Sequence, residues 1–283
     1  MKLVSYIRIG RPRVGRLVDG GIVELEASTP HGRAGLRQLI ARCALAEIAA
    51  ETEGVGPTVA LSDVTLLPVI PDPAKILCIG LNYANHVAET KRSDAQYPTV
   101  FVRFADSQVG HLQPIVRPVG CEHFDYEGEL AIVIGRGGRN IAEAEALGHI
   151  AGYACYNDGS ARDWQRHTSQ FTPGKTFPGT GGFGPALVTP DEIGDYRDLP
   201  IATRLNGEVM QQASLADLIF PIPRLIAYCS AFTPLSPGDV IVTGTPGGVG
   251  DRRDPPVYLK PGDTVEVDIG AVGVLSNQVV DAL

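Results

Sequence analysis

Short apolar runs separated by turn residues, with few helical segments between them, constrain this chain more than any other feature. The runs lie at residues 75–80, 99–104, 129–135, 149–156, 239–243 and 264–269, and each has the length and composition of a β-strand. Helical spacing is expected only at 82–90, 141–147, 160–167 and 221–232, the last with Pro221 in its first turn. Strands therefore outnumber helices and do not alternate with them. That excludes a doubly wound βαβ architecture and predicts an α+β fold built on mixed sheets. The 33 glycines and 22 prolines among 283 residues supply the many tight turns such a fold needs.

The first 70 residues read as a small N-terminal α+β domain, and residues 71–283 as a larger catalytic domain. Residues 2–25 alternate apolar and polar around Asp19-Gly20-Gly21, the pattern of a hairpin. Leu36, Leu39, Ile40, Cys43 and Ala46 recur at helical spacing until Gly54 stops the run, and a β-rich stretch follows at 58–70. Pro71-Asp72-Pro73 then disfavours both helix and sheet pairing, so the boundary is placed there. A net charge of -8 disfavours a broad phosphate-binding surface, so nucleic acid is not expected as a partner. There is no run of 18 apolar residues and no secretory signal pattern, so no membrane partner is expected either. The five cysteines contain no Cys-x-x-Cys and read as buried thiols in a reducing compartment, for which the cytoplasm is expected.

Three groups of residues carry potential chemistry. Glu127 and Glu129 stand at i and i+2 before an apolar run, so on a strand they share one face with backbones about 6.6 Å apart, and their carboxylates can converge on one cation. Gly128 between them is expected to leave the opposite face open. The competing reading is a solvated strand end. Asp158 follows the next strand, within Asn157-Asp158-Gly159-Ser160-Ala161-Arg162-Asp163, where Ser160 is expected to cap a helix with Asp163 three residues on. If Asp158 turns toward the two glutamates, the all-oxygen set suits Mg²⁺ or Mn²⁺ in preference to zinc. His86 and Glu89 lie side by side on one helical turn, where a carboxylate fixes the tautomer of an imidazole and raises its basicity; an incidental surface ion pair is the alternative. Two glycine-rich passages, 173–185 and 242–250, are not Walker loops: Ser169 replaces the leading glycine of the first, and the second has no lysine. Their backbone donors, with the Thr245 hydroxyl, could hold the oxyanions of a small acid, or they could be ordinary turns. Lys175, leading from glycine into an apolar turn, is the more suggestive residue.

In this order, Gly80-x-Asn82-Tyr83-x-x-His86-x-x-Glu89, Glu127-x-Glu129-Leu130, Asn157-Asp158-x-Ser160-Ala161-Arg162-Asp163-x-Gln165, Gly174-Lys175-Thr176-Phe177 and Thr243-Gly244-Thr245-Pro246-x-Gly248-Val249-Gly250 resemble the fumarylacetoacetate hydrolase family, from about residue 75 onward. The resemblance implies layered mixed β-sheets with few helices around the active site, and a homodimer. It implies that Glu127, Glu129 and Asp158 bind one divalent cation, Mg²⁺ or Mn²⁺, per site. His86 with Glu89 then activates water, and Lys175 meets charge on a small carboxylic-acid substrate. Arg162, Gln165 and Thr245 fall near the bound acid. Arg103 stands where many relatives have the lysine of Leu-Lys-Pro, and is expected to clamp a substrate carboxylate. The implied reaction is metal-dependent cleavage of a carbon–carbon bond in an acylpyruvate-like 2,4-dioxo acid. Relatives with the same groups decarboxylate oxaloacetate or isomerise related acids, and a binding protein without turnover is the remote alternative. Residues 82–94 are expected to form a lid over substrate.

Overall fold

The structure is a computed structural model that describes residues 1–25, 31–32, 34–90 and 96–283. An 11-stranded sheet dominates it, running Gly21–Glu24, Arg11–Val18, Lys2–Arg8, Gly181–Val188, Ile150–Asn157, Gly128–Ile134, Val240–Val242, Ile76–Gly80 and Thr99–Arg103, with two short strands off this path. Along that path only Val240–Val242 and Ile76–Gly80 pair in parallel. A second sheet of five strands, Glu208–Ser214, Pro200–Leu205, Thr264–Asp268, Val274–Asp281 and Ile115–Arg117, packs against the first. The mixed, layered architecture with few helices is the one the chain's pattern predicts.

The two central strands, Gly128–Ile134 and Ile150–Asn157, are buried along their whole length. A strand covered on both faces reads as a continuous apolar run, and these do. From one face Leu130, Ile132 and Ile134 pack on Ile201, Val267 and Leu275 of the second sheet and on Leu225 and Ile226 of the helix Ile222–Phe232. From the other face Ala131 and Val133 meet Leu36, Leu39 and Ile40 of the N-terminal region. Each such aliphatic side chain contributes about 1.5–3 kcal/mol on burial. Glu129 shares the face of Ala131 and Val133 by the two-residue period, so a carboxylate emerges where an apolar stripe ends.

Several local expectations change. Arg11–Val18 and Gly21–Glu24 form the expected hairpin, but Lys2–Arg8 adds a strand through a turn at Ile9-Gly10, with φ of 48° and 68°. Isoleucine rarely adopts a positive φ, which is why that turn carries no sequence signal. The N-terminal helix breaks at Cys43, φ 56°, into Leu36–Ala41 and Leu45–Thr52. Residues 58–70 hold little β structure, the strand Thr65–Leu66 and a bridge from Val59 to Ile22, with a 3-10 turn at Leu61–Asp63 between them. Residue 71 does not divide the core: Lys2–Arg8 pairs with Gly181–Val188, and Leu36 and Leu39 share a core with Ala131 and Val240. The strands Gly181–Val188, Pro200–Leu205, Glu208–Ser214 and Val274–Asp281 were not among those expected. The first begins Gly-Gly-Phe-Gly-Pro and reads as a turn, yet a Cβ on Gly182 would come within 2.4 Å of Asn277 Oδ1, so close packing requires glycine there.

No cysteine is paired; four are buried and Cys43 is exposed, unlike the uniformly buried set expected. Among the described residues no helix is long and apolar enough to cross a membrane.

Candidate active site

The antiparallel register sets Gly128 opposite Asn157, so the next residues outward, Glu127 and Asp158, emerge side by side. Asp158 N donates to Glu127 O at 2.8 Å, and Glu127 N donates to Asn157 Oδ1 at 3.1 Å. Carboxylate oxygens of Glu127, Glu129 and Asp158 thereby lie within 4.8 Å of one another, all three residues buried. Gly128 does not open a face, as its spacing suggested. A Cβ there would stand 2.0 Å from Thr203 Oγ1, so glycine is what lets the second sheet close beneath the two glutamates.

A row of alternating charges surrounds the trio. Lys175 Nζ donates to Glu127 Oε2 and to Asp158 Oδ2, both at 2.6 Å, and sits 5.1 Å from the Phe101 ring centroid. Arg162 Nη2 lies 2.7 Å from Glu127 Oε1, and its Nε donates to Asp125 Oδ2 at 2.9 Å. Arg103 Nη1 donates to Asp158 Oδ1 and, at 3.1 Å, to Gly159 O, while Nη2 donates to Thr180 Oγ1 at 2.7 Å. Glu129 has a different environment, since it accepts only from the backbone N–H of Gly244 among these donors.

Ionisation follows from that asymmetry. Burial alone would raise the Glu127 carboxyl, but the charges of Lys175, Arg162 and His86 outweigh it and bring it down to about 2. Burial raises Glu129 well above the usual carboxylate range, with the Asp158 and Glu127 charges adding to it. Lys175 is pushed down by burial, yet Asp158 and Glu127 more than compensate, so it stays an ammonium.

Three buried, all-oxygen donors with no sulfur or imidazole among them fit a hard divalent cation. The ammonium drawn between Glu127 and Asp158 shows that the position favours positive charge. With its carboxyl raised by burial, Glu129 binds a proton in competition with an entering cation, so affinity for Mg²⁺ is expected to rise with pH by up to about tenfold per unit below that raised value. Titration calorimetry across about pH 6–9, in buffers of different ionisation enthalpy, measures the protons released; pH-independent affinity would contradict the assignment.

The helix Ala84–Thr90 supplies the second group. His86 Nδ1 lies 2.6 Å from Glu89 Oε1, and Glu89 Oε2 accepts from Gly248 N at 2.8 Å. As acceptor, Glu89 keeps the proton on Nδ1 and leaves Nε2 as the basic nitrogen. Asn85 Oδ1 accepts from Gly247 N at 3.0 Å, and Asn82 Nδ2 donates to Thr243 O at 2.7 Å, which fastens this helix to the 243–248 loop. Of the expected lid, residues 91–94 lie outside the described residues.

His86, Glu127, Glu129, Arg162, Gln165, Lys175 and Thr245 line one cavity of about 320 Å³. Asp158 lies behind it, fully buried, and Glu89 is reached through His86. Arg103 is 2% exposed and absent from the cavity wall, so it braces Asp158 instead of clamping substrate. Ser160 does not cap a helix: its Oγ donates to Asp158 O, and Ala161 takes the cap position. The glycine-rich loop's amides serve the chain's own carboxylates, Gly244 to Glu129 and Gly248 to Glu89. Thr245 Oγ1 is likewise committed, donating to Gly128 O at 2.9 Å and accepting from Gln211 Nε2 at 2.8 Å. Gln165 Oε1 accepts from Arg162 Nη1 at 2.8 Å.

Asp125 was missed. It is fully buried and accepts from Arg162, from Gly250 N at 2.9 Å and from Asp251 N at 3.1 Å. Its position just before Tyr126-Glu127-Gly128-Glu129 was the available signal.

Residues 75–280 match the family model described as fumarylacetoacetate (FAA) hydrolase C-terminal. A Xenopus laevis protein named oxaloacetate tautomerase fahd2, mitochondrial, is 42% identical over 275 residues, spanning 95% of this chain and 86% of that one. The solved structure of a fumarylacetoacetate hydrolase from psychrophilic Exiguobacterium antarcticum is similar at a TM-score of 0.87 and 36% identity, with 100% of both chains covered. Maleylpyruvate hydrolase from Sphingobium, solved in complex with manganese(II) and pyruvate, is similar at 0.84 and 27% identity, again with 100% of both chains covered. With the motifs in order, the fold shared and the match running through the whole catalytic region, this chain belongs to the fumarylacetoacetate hydrolase family.

Proposed function

We propose that this chain is a metal-dependent enzyme that interconverts the keto and enol forms of a small 2-oxo dicarboxylic acid, oxaloacetate being the first candidate. The observation that carries the reading is that a histidine prepared for proton transfer, His86 held by Glu89, lines the same cavity as the Glu127 and Glu129 carboxylates. The similarity to a tautomerase across 95% of the chain favours oxaloacetate over the acylpyruvate-like substrates that the motifs first suggested.

Glu127, Glu129 and Asp158 would hold one Mg²⁺ or Mn²⁺. When bound there, a divalent cation supplies Lewis acidity toward the 2-oxo group of the substrate. His86 Nε2 takes a proton from C3, and the electron pair of that C–H bond moves toward the 2-oxo oxygen. Lys175, a buried ammonium, offsets the negative charge that develops in this low-dielectric cavity. Returning the proton to oxygen gives the enol, and returning it to carbon gives the ketone. Glu89, oriented by Gly248 N–H, keeps the imidazole in the required tautomer throughout.

His86→Asn tests this assignment. Enol–keto exchange of oxaloacetate, followed by ultraviolet absorbance, is expected to fall by about 10²–10⁴-fold with Mn²⁺ affinity unchanged. Retained exchange would remove His86 from the proton path.

Carbon–carbon hydrolysis is the second reading, favoured by the similarity to maleylpyruvate hydrolase. There His86 would take its proton from water, and the resulting hydroxide would attack a carbonyl carbon. Chelator-treated protein with Mg²⁺ or Mn²⁺ restored separates the readings: exchange of oxaloacetate without loss of carbon dioxide supports the tautomerase, carbon dioxide release a decarboxylase, and pyruvate release from acylpyruvates the hydrolase. A homodimer is part of the same proposal. We place it in the cytoplasm, where five unpaired thiols persist; the Xenopus relative is mitochondrial by name.

A further inference from the structure

We propose that Gln211 is a positioning residue that keeps the metal-binding carboxylates and the His86/Glu89 pair in a common register, acting through the loop from Thr243 to Gly250. This deepens the reading above, on which its catalytic meaning rests. Gln211 lies on Glu208–Ser214, the outer strand of the five-stranded sheet, and is 1% exposed. It does not line the cavity, so it can reach the chemistry only through other residues. Its cross-strand neighbour is Thr203, whose hydroxyl lies beneath Gly128. The two sheets therefore meet under the acids at this pair.

The carboxamide is used at both ends. Oε1 accepts from Gly128 N at 3.0 Å, while Nε2 donates to Thr245 Oγ1 and to Pro246 O, both at 2.8 Å. An N–H on one side and a carbonyl on the other fix which end is oxygen and which is nitrogen. The set of one acceptor and two donors is one that a carboxylate, a hydroxyl or an aliphatic side chain lacks. Thr245 Oγ1 in turn donates to Gly128 O at 2.9 Å. Both polar backbone groups of the residue between Glu127 and Glu129 thus lead to Gln211, one directly and one through Thr245. The same loop gives Gly244 N to Glu129, Gly247 N to Asn85 Oδ1 and Gly248 N to Glu89. Asn85 Oδ1 also accepts from His86 N at 2.8 Å. Asp125 and Tyr126 hold the far end of the loop, at Gly250 N and Gly248 O. Gln211 holds the near end, beside Glu129, and a shift there displaces a metal ligand and the proton-transfer pair together.

The test compares four variants of the full chain: Gln211→Met, which keeps the length and removes the carboxamide; Thr245→Val; the two together; and Gln212→Met, at an exposed position of the same strand. Titration calorimetry measures Mg²⁺ affinity. Two-bond ¹H–¹⁵N correlation spectra of histidine-labelled, metal-free protein, at a pH where the ring is neutral, report the tautomer of His86, assigned by its absence from His86→Asn. Gln211→Met is expected to lower Mg²⁺ affinity by about tenfold or more. It is also expected to spread the His86 proton over both ring nitrogens, where the parent keeps it on Nδ1. Thr245→Val is expected to do the same in part, and adding it to Gln211→Met to cost little more, because both cut one path. Gln212→Met is expected to move neither measurement. A lower melting temperature with affinity and tautomer at parental values would make Gln211 an ordinary core residue and overturn the proposal. Additive losses in the double variant, a change in one measurement without the other, or a mixed tautomer in the parent would overturn it too. Should Gln211→Met fail to fold, Thr245→Val decides alone, and parental values there would overturn it. Neither measurement uses a substrate. If both move as expected while the parent leaves the oxaloacetate enol unexchanged, the tautomerase reading falls and the positioning role stands.

Discussion

Glu129→Gln is expected to abolish high-affinity Mg²⁺ or Mn²⁺ binding and to lower turnover by at least about 10²–10³-fold, while the metal-free protein stays as stable as the parent. The reason is the unequal surroundings of the three acids. Glu127 and Asp158 are matched by Arg162, Lys175 and Arg103, and removing either leaves a buried cation without its partner. Among the described residues no cationic side chain forms an ion pair with Glu129; it accepts from the Gly244 amide, and its carboxyl is raised by burial and by its two acidic neighbours, which together outweigh the nearby Lys175 charge. A neutral amide of the same shape therefore resembles the protonated form toward which burial shifts Glu129. Thermal melts with and without Mn²⁺ give the decisive comparison: the parent is expected to gain stability on adding the ion and the variant not to. A variant that melts many degrees lower without metal would show Glu129 to be structural.

The second large effect is expected at Lys175. Lys175→Met leaves Glu127 and Asp158 each short of one partner in a buried site, a loss of about 3–5 kcal/mol for a broken interior pair. Chemical denaturation without metal measures it. Turnover is expected to fall by about 10²–10³-fold because a cation next to the developing oxyanion is gone. Affinity for the divalent ion, however, is expected to hold or rise, since the ammonium draws on two of the three carboxylates that would hold the ion. Added Mn²⁺ should accordingly recover part of the lost stability. Loss of metal binding together with activity would instead make Lys175 a scaffold for the ligands.

The parts of this site that were legible in the sequence are those set by chemical identity and local period. Two glutamates at i and i+2 before an apolar run converge as their spacing allows, and His86 meets Glu89 on one helical turn; Asp158 joins the glutamates through the register of the next strand, which spacing leaves open. What was not legible depends on segments distant in the chain. Gly128 is glycine because Thr203, on the other sheet, arrives beneath it. Arg103 turns inward because the strand Gly181–Val188 and Thr180 provide a slot behind Asp158, and that strand opens on residues that read as a turn. The glycine amides read as substrate donors because an isolated loop does not reveal which acids fold back onto it, here Glu129 onto Gly244 and Glu89 onto Gly248. Asp125 adjoins the Tyr126-Glu127-Gly128-Glu129 run, but its part in the site rests on Arg162, Gly250 and Asp251, which are distant in the chain.

From Arg103 through Asp158, Lys175, Glu127 and Arg162 to Asp125, positive and negative groups succeed one another without a gap. Such a line behaves as one electrical object. Neutralising any bead alters the field felt by beads two or three places away, and measured effects of paired replacements along it will fail to sum. For anyone redesigning this enzyme, the smallest exchangeable part is the whole string.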